Sequence, residues 1–267
     1  MSIFADDAWS TFVPYSGLHY ASNGPPVSIF ADDAWSTFVP YSGLHFFTVC
    51  ACALLIAAFV AIGRRLPAHD AAMRWALGVF GLGFWLSYNI WWNRNDFDAA
   101  SGFPLHICGL SGAIAPLTLL TLDRWLRATL YFWAFALASQ AFIQPALAAG
   151  PATPLFWWFW AQHTIILGYA IFDVTVLSFR PGWQDLRRAF IVSAIYLCVV
   201  MPLDIHFGAD YGFLGDLPAD KIPPFVAALG LWPARAFILV ALAAVAFVVV
   251  ALPWQLTDRH WRQRSAA

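Results

Sequence analysis

Three side chains hold most of the chemical capacity of this sequence: Cys108, His106 and His163. A thiol becomes a nucleophile once a base takes its proton, and an uncharged imidazole commonly serves as that base. All three lie in long apolar runs. An imidazole placed among apolar neighbours without a use is costly, and a desolvated histidine stays neutral and able to accept a proton. His106 and Cys108 are two residues apart, so on a helix they point about 200° away from one another. A pairing of either with His163 across helices is the more reasonable arrangement. Gln140 and Gln144 are spaced i, i+4 and are expected on one helix face. Asn89, Ser111 and His45 complete the polar set, and such amides and hydroxyls could hold an ester carbonyl or a headgroup. The competing account is structural. Buried amides often bond neighbouring helices together, and Cys108, Ser111, Gly112 and Ala115 form a small-residue stripe that lets a helix approach closely.

The elements that must position these groups are membrane helices. Hydrophobic residues make up 61% of the chain and charged residues only 11%, against about a quarter charged in an ordinary soluble domain. So much apolar surface must face lipid. Runs long enough to cross a bilayer as helix occur at about 46–63, 74–92, 104–122, 128–149, 155–178, 187–205 and 232–254. The expected fold is therefore all-α, a polytopic membrane bundle of about seven transmembrane helices. Arg64, Arg65 and Arg74, then Arg124 and Arg127, then Arg180, Arg187 and Arg188, and finally Arg259, Arg262 and Arg264 fall in alternate connections and the C-terminal end. The other connections hold Arg94, Lys221 and Arg235. Because cytoplasmic loops are rich in Lys and Arg, this pattern predicts the N-terminus out and the C-terminus in. Trp91, Trp92, Trp157, Trp158, Trp232 and Trp254 lie near the span ends, as interfacial anchors do.

That alternation also fixes depth. His45, Asn89, His106, Cys108, Ser111, Gln140, Gln144, Asp204 and His206 all come to the outer half, and His163 lies about 12 Å down from the outer end of its span. Asp173 is the main polar group of the inner half. The pattern argues for a cavity opening outward, since a channel or pump would line its whole depth.

Several classes are excluded. Retinal binding needs a lysine in the last span, and the only lysine, Lys221, precedes it. No HExxH or clustered histidine box is present, the cysteines match no zinc or redox spacing, and no phosphate loop or dinucleotide fingerprint appears. Neither a metal nor a cofactor is expected. A net charge of −1 offers nothing to nucleic acid. The expected partner is the lipid bilayer, with a phospholipid or another amphipathic small molecule as ligand. Residues 2–19 recur unchanged at 28–45. Residues 1–27 therefore read as a dispensable duplicated extension, 28–256 as the transmembrane domain and 257–267 as a basic cytoplasmic tail. Gly78, Gly81 and Gly83 lie inside an apolar helix, where close helix packing is their expected use.

FPLHICGLSGAIAPL at 103–117, LYFWAFALASQAFIQPAL at 130–147 and FWWFWAQHTIILGYAIFD at 156–173 resemble the YwaF-like family of bacterial integral membrane proteins. YSGLH before span one and LGLWPARAF before span seven fit the same pattern, so the resemblance covers about residues 38–254. It implies a multi-pass protein of the bacterial cytoplasmic membrane. A more distant similarity is to a eukaryotic membrane acyltransferase acting on ether phospholipids, through Pro104/His106 and Gln162/His163. There the nucleophilic cysteine directly precedes the first histidine. Leu105 holds that position here, and Cys108 lies one turn further along.

Two functional classes remain open. One is a lipid-acting acyltransferase or hydrolase, with Cys108 as nucleophile, His163 as base, and His106 with Gln140 or Gln144 polarising the ester. The other is a transporter, receptor or structural membrane subunit without catalysis.

Overall fold

The computed structural model describes residues 35–65, 71–95 and 97–264, with side chains through residue 256. The duplicated extension 1–27 and the side chains of the basic tail lie outside the described residues. The main elements are α1 (Gly43–Arg65), α2 (Ala71–Trp92), α3 (Ile107–Thr121), α4 (Arg124–Phe132), α5 (Pro154–Thr175), α6 (Trp183–Phe207), the short α7 (Pro224–Ala227) and α8 (Ala234–Arg264). No strand ladder occurs among the described residues, only an isolated antiparallel bridge between Thr37 and Ala149. Among the described residues three helices are long and apolar enough to cross a membrane: α1, α6 and the Ala234–Leu256 part of α8.

Helix boundaries follow from local chemistry. A residue before proline is pushed out of the α region, so Phe103-Pro104 delays the start of α3 to Ile107. Leu122 closes α3 with φ 54°. Asp123 then starts α4, its carboxylate accepting the N–H groups of Trp125 at 2.9 Å and Leu126 at 3.1 Å. Pro154 occupies the first turn of α5, where an absent N–H costs nothing. Gly208, with φ 62°, ends α6.

The fourth expected span departs from a plain helix. After Phe132 the chain passes into a π-helical turn, Trp133–Leu137, then a 3-10 turn, Ala138–Phe142, and stops there instead of near 149. Pro145 bars its preceding residue from helical geometry. Beyond it the chain runs back along the N-terminal segment, with the Phe38 amide on the Ala148 carbonyl at 2.8 Å and the Gly150 amide on that of Ser36 at 3.0 Å.

α3 and α5 form the interior, with α2 against α3, α1 against α5, and α4 and α8 against α6. The glycines of α2 serve close packing at two of the three expected positions. A Cβ on Gly78 would collide with the Leu120 side chain, and one on Gly81 would sit 3.0 Å from the Tyr169 ring, whereas Gly83 faces open space. Charged contacts gather at one end. Arg74 donates to the Leu119 carbonyl at 2.9 Å, Arg127 pairs with Asp173 at 2.8 Å, and Asp185 takes both Arg124 and Arg188. Asp173, the isolated carboxylate of that half of the sequence, is thus held by a partner. The opposite end carries the contacts of His45 with Phe142, of Phe103 with Tyr211 and of Arg235 with Gly215, so successive long segments run in alternate directions.

Candidate functional site

The small-residue stripe of α3 lets neighbouring helices close on polar groups. Ser111, Gly112 and Ala115 are buried. A Cβ on Gly112 would lie 2.7 Å from the Trp85 ring and 3.1 Å from Gln162 Nε2. With that space empty, the Trp85 indole N–H reaches the Gly109 carbonyl at 2.7 Å and the Gln162 amide donates to the Cys108 carbonyl at 2.9 Å. α2 and α5 are therefore both tied to the first turns of α3. The half-buried Cys108 side chain packs against the apolar cluster of α1, α3 and α5. The Ser111 hydroxyl is fully buried, with no hydrogen-bond partner among the described residues.

His163 follows Gln162 on α5 and is buried with it. Its Nδ1 lies 2.7 Å from the Phe159 carbonyl. A carbonyl oxygen can only accept, so Nδ1 carries the proton and Nε2 keeps its lone pair. The ring is flanked by Phe159 and Phe142. Such an imidazole is a base of fixed orientation next to the residue that grips the cysteine turn.

His45 has the opposite arrangement. The Tyr41 amide donates to its Nδ1 at 2.9 Å, leaving Nε2 to donate to the Phe142 carbonyl at 3.2 Å. Both ring nitrogens are used, and the side chain braces the start of α1 against the end of the 3-10 turn. His106 points elsewhere. It precedes α3, its Nδ1 accepts the Gly212 amide at 3.3 Å, and its ring packs on Tyr211 and Phe213. The two catalytic histidine candidates thus occupy different seams, His163 between α5 and the 3-10 turn and His106 under the loop after α6.

The amides differ as well. Asn89 donates to the Trp85 carbonyl of its own helix at 2.7 Å, which places it beside the tryptophan that reaches α3. Gln140 is exposed and Gln144 half-buried. Both lie at or beyond the 3-10 turn, where three residues per turn no longer bring positions i and i+4 onto one face.

Beneath the loop that follows α6 lies a second polar cluster absent from the sequence-based candidates. Asp204 accepts the Tyr211 amide at 2.9 Å, and its other oxygen is buried without a partner among the described residues. Asp210 accepts the Gly215 amide at 2.9 Å. The buried Arg235 donates to the carbonyls of Gly215 at 2.6 Å and Leu217 at 3.0 Å. The isolated arginine in LGLWPARAF and the carboxylate closing span six were the visible signals, but nothing linked them. Burial drives the Asp210 carboxyl up to about 7; the Gly215 amide and Arg235 oppose this, and Asp204 adds to it. The folded loop therefore holds that proton more tightly than the unfolded chain does. The contribution of this group to stability should be greatest below about pH 4, decline as pH rises toward about 7 and level off above it. Asn at this position keeps the acceptor for Gly215 and cannot ionise. The expected result for Asp210→Asn is a shallower slope, with melting in detergent falling less between mildly acidic and mildly alkaline buffer than in the parent.

The TMEM164 family model matches residues 35–251. The chain belongs to the TMEM164 family. That stretch runs from before α1 into α8 and contains every candidate site residue. No curated protein and no solved structure matches the chain. As a TMEM164-family chain with several apolar helices it is a membrane protein, and its lipid-facing side chains contact the bilayer. Cys108, Gln162 and His163 of this family member come from its two innermost helices.

Proposed function

We propose that this chain is a seven-span membrane enzyme acting on lipid esters, an acyltransferase or hydrolase, with Cys108 as nucleophile and His163 as general base. The carrying observation is the contact of α5 with α3. Gln162 holds the Cys108 carbonyl, and the next residue is an imidazole whose Nε2 lone pair is free to take a proton. The seven spans are α1, α2, α3, α4 with its π and 3-10 continuation, α5, α6 and α8. The 22 residues of α2 and of α5 reach about 33 Å, enough for a hydrocarbon core of about 30 Å. The arginine distribution supports an outside N-terminus, and the YwaF-like resemblance supports a bacterial cytoplasmic membrane.

In this reaction the Cys108 thiol gives its proton to His163 Nε2 and the sulfur attacks the ester carbonyl carbon. The acyl C–O bond then breaks, the leaving alkoxide takes the proton from His163, and a thioester remains on Cys108. Water or a lipid alcohol, deprotonated by the same imidazole, attacks the thioester and restores the thiol. His45 keeps α1 and the 3-10 turn in register around the histidine. Asn89 and Ser111 line the neighbouring α2–α3 contact, while Gln140, exposed, and Gln144, half-buried, lie at and beyond the 3-10 turn.

The reading is tested with thiol alkylation in membranes, in a background where Cys50, Cys52 and Cys198 are alanine. Cys108 should react readily at neutral pH and much less in His163→Ala. Equal reaction in both would remove the mechanism and leave binding or transport without catalysis.

A further inference from the structure

The end of the bundle remote from Cys108 carries an unbalanced positive charge. Asp185 is bonded to both Arg124 and Arg188, and Asp173 is paired with Arg127. Arg180 rests on the Trp254 ring. Arg187 is exposed, with no carboxylate within ion-pair distance among the described residues. Its side chain lines, one turn inside Trp183, a shallow groove of about 440 Å³ formed by Trp183, Leu186, Arg187, Phe190, Ile191 and Ala194. These positions recur at helical spacing along one side of α6. From Trp183 to Ala194 the groove extends about 16 Å along the helix, close to the thickness of one hydrocarbon leaflet, which is half of about 30 Å. Trp183 is 53% exposed and Ile191 39% exposed, so the groove opens outward above the buried Leu186. Phe190 packs on Phe247 of α8 and gives the groove a firm floor.

We propose that this groove is a binding site for a single anionic phospholipid, separate from the reaction at Cys108. The phosphate sits at Arg187, the indole of Trp183 lies at headgroup level, and one acyl chain follows Phe190, Ile191 and Ala194. Charge decides between headgroups. A zwitterionic lipid brings its own cation to a place already rich in guanidinium, whereas an anionic one supplies the carboxylate-like partner that Arg187 lacks among the described residues. The apolar length below a lone cation suits an amphiphile better than a soluble anion.

Native mass spectrometry of the full chain in detergent, titrated with phosphatidylglycerol or phosphatidylcholine of the same acyl chains, reads the site directly. The parent should retain one phosphatidylglycerol after mild activation and little phosphatidylcholine. Arg187→Ala should lower retention about fivefold, Arg187→Lys should preserve most of it, and Ala194→Trp should block it by filling the acyl track. Arg94→Ala, which removes an exposed arginine from the opposite end, serves as the control and should match the parent. Equal retention of the two lipids, or Arg187→Ala indistinguishable from the parent, would overturn the proposal. A dimer peak that disappears in Ala194→Trp would also overturn it and assign the groove to a second copy.

Discussion

In a background lacking the other three cysteines, His163→Ala is expected to slow alkylation of Cys108 at neutral pH on the order of 100-fold, and His106→Ala is expected to leave it near the parent rate. The difference follows from where the two rings point. His163 is fixed by the Phe159 carbonyl so that Nε2 is its basic atom, and it is joined in sequence to the residue that bonds the Cys108 carbonyl. His106 spends Nδ1 on the Gly212 amide and packs under the loop after α6. A purely spatial effect of the alanine would change access without changing protonation, so the pH profile separates the two. The parent rate should rise with an inflection belonging to the imidazole, whereas His163→Ala should follow only the ionisation of a thiol. Gln162→Leu should fall between them, because the base remains while the tie to the cysteine turn is lost.

The second large effect is on stability. Arg127→Ala is expected to destabilise the bundle by about 3–5 kcal/mol, since it strands a buried charge. Asp173 is 2% exposed and takes its neutralisation from Arg127 through two contacts, at 2.8 Å and 3.1 Å. The same guanidinium also reaches the Leu177 carbonyl at 3.2 Å and covers the Phe179 ring. If the cost arises from the orphaned carboxylate, a second substitution should restore much of it. Arg127→Met combined with Asp173→Leu is expected to unfold at a denaturant concentration close to the parent's, since a well-packed apolar pair can replace a buried ion pair with little loss. Measured unfolding in mixed micelles, followed by tryptophan fluorescence, checks both variants. A double variant as unstable as Arg127→Ala would mean that the carbonyl and ring contacts, and not the charge, carry the effect.

Much of this was legible in the residues because two signals are strong. Apolar length places helices, and the arginine alternation places their ends; the contacts of Arg74, Arg124 and Arg127 at one end agree with that reading. The stripe of Ser111, Gly112 and Ala115 also gave the closeness of α3 to its neighbours, because small side chains have few other uses in such a run. Breaks in helical geometry were harder to read. The sequence from Tyr131 to Gln144 is largely apolar and proline-free, yet its backbone passes into π and 3-10 turns. That change removes the common face expected for Gln140 and Gln144. Pairing was hardest. Depth along a span can be counted from residue numbers, whereas the direction of a side chain around the helix depends on which neighbour occupies each side. Hence His45, His106 and His163 take three different roles in packing. The cluster of Asp204, Asp210 and Arg235 needed a loop of irregular backbone to bring it together, which periodicity does not encode.

The claim that Cys108 carries an acyl group during the reaction is tested most directly by trapping it. The full chain is reconstituted in vesicles of an ester phospholipid with isotope-labelled acyl chains, quenched in acid and digested. The account predicts that the peptide containing Cys108 gains the mass of one labelled acyl group, removable by neutral hydroxylamine, and that the gain is much reduced in His163→Ala. An unmodified Cys108 peptide in a preparation that consumes the lipid equally well as Cys108→Ala would contradict it.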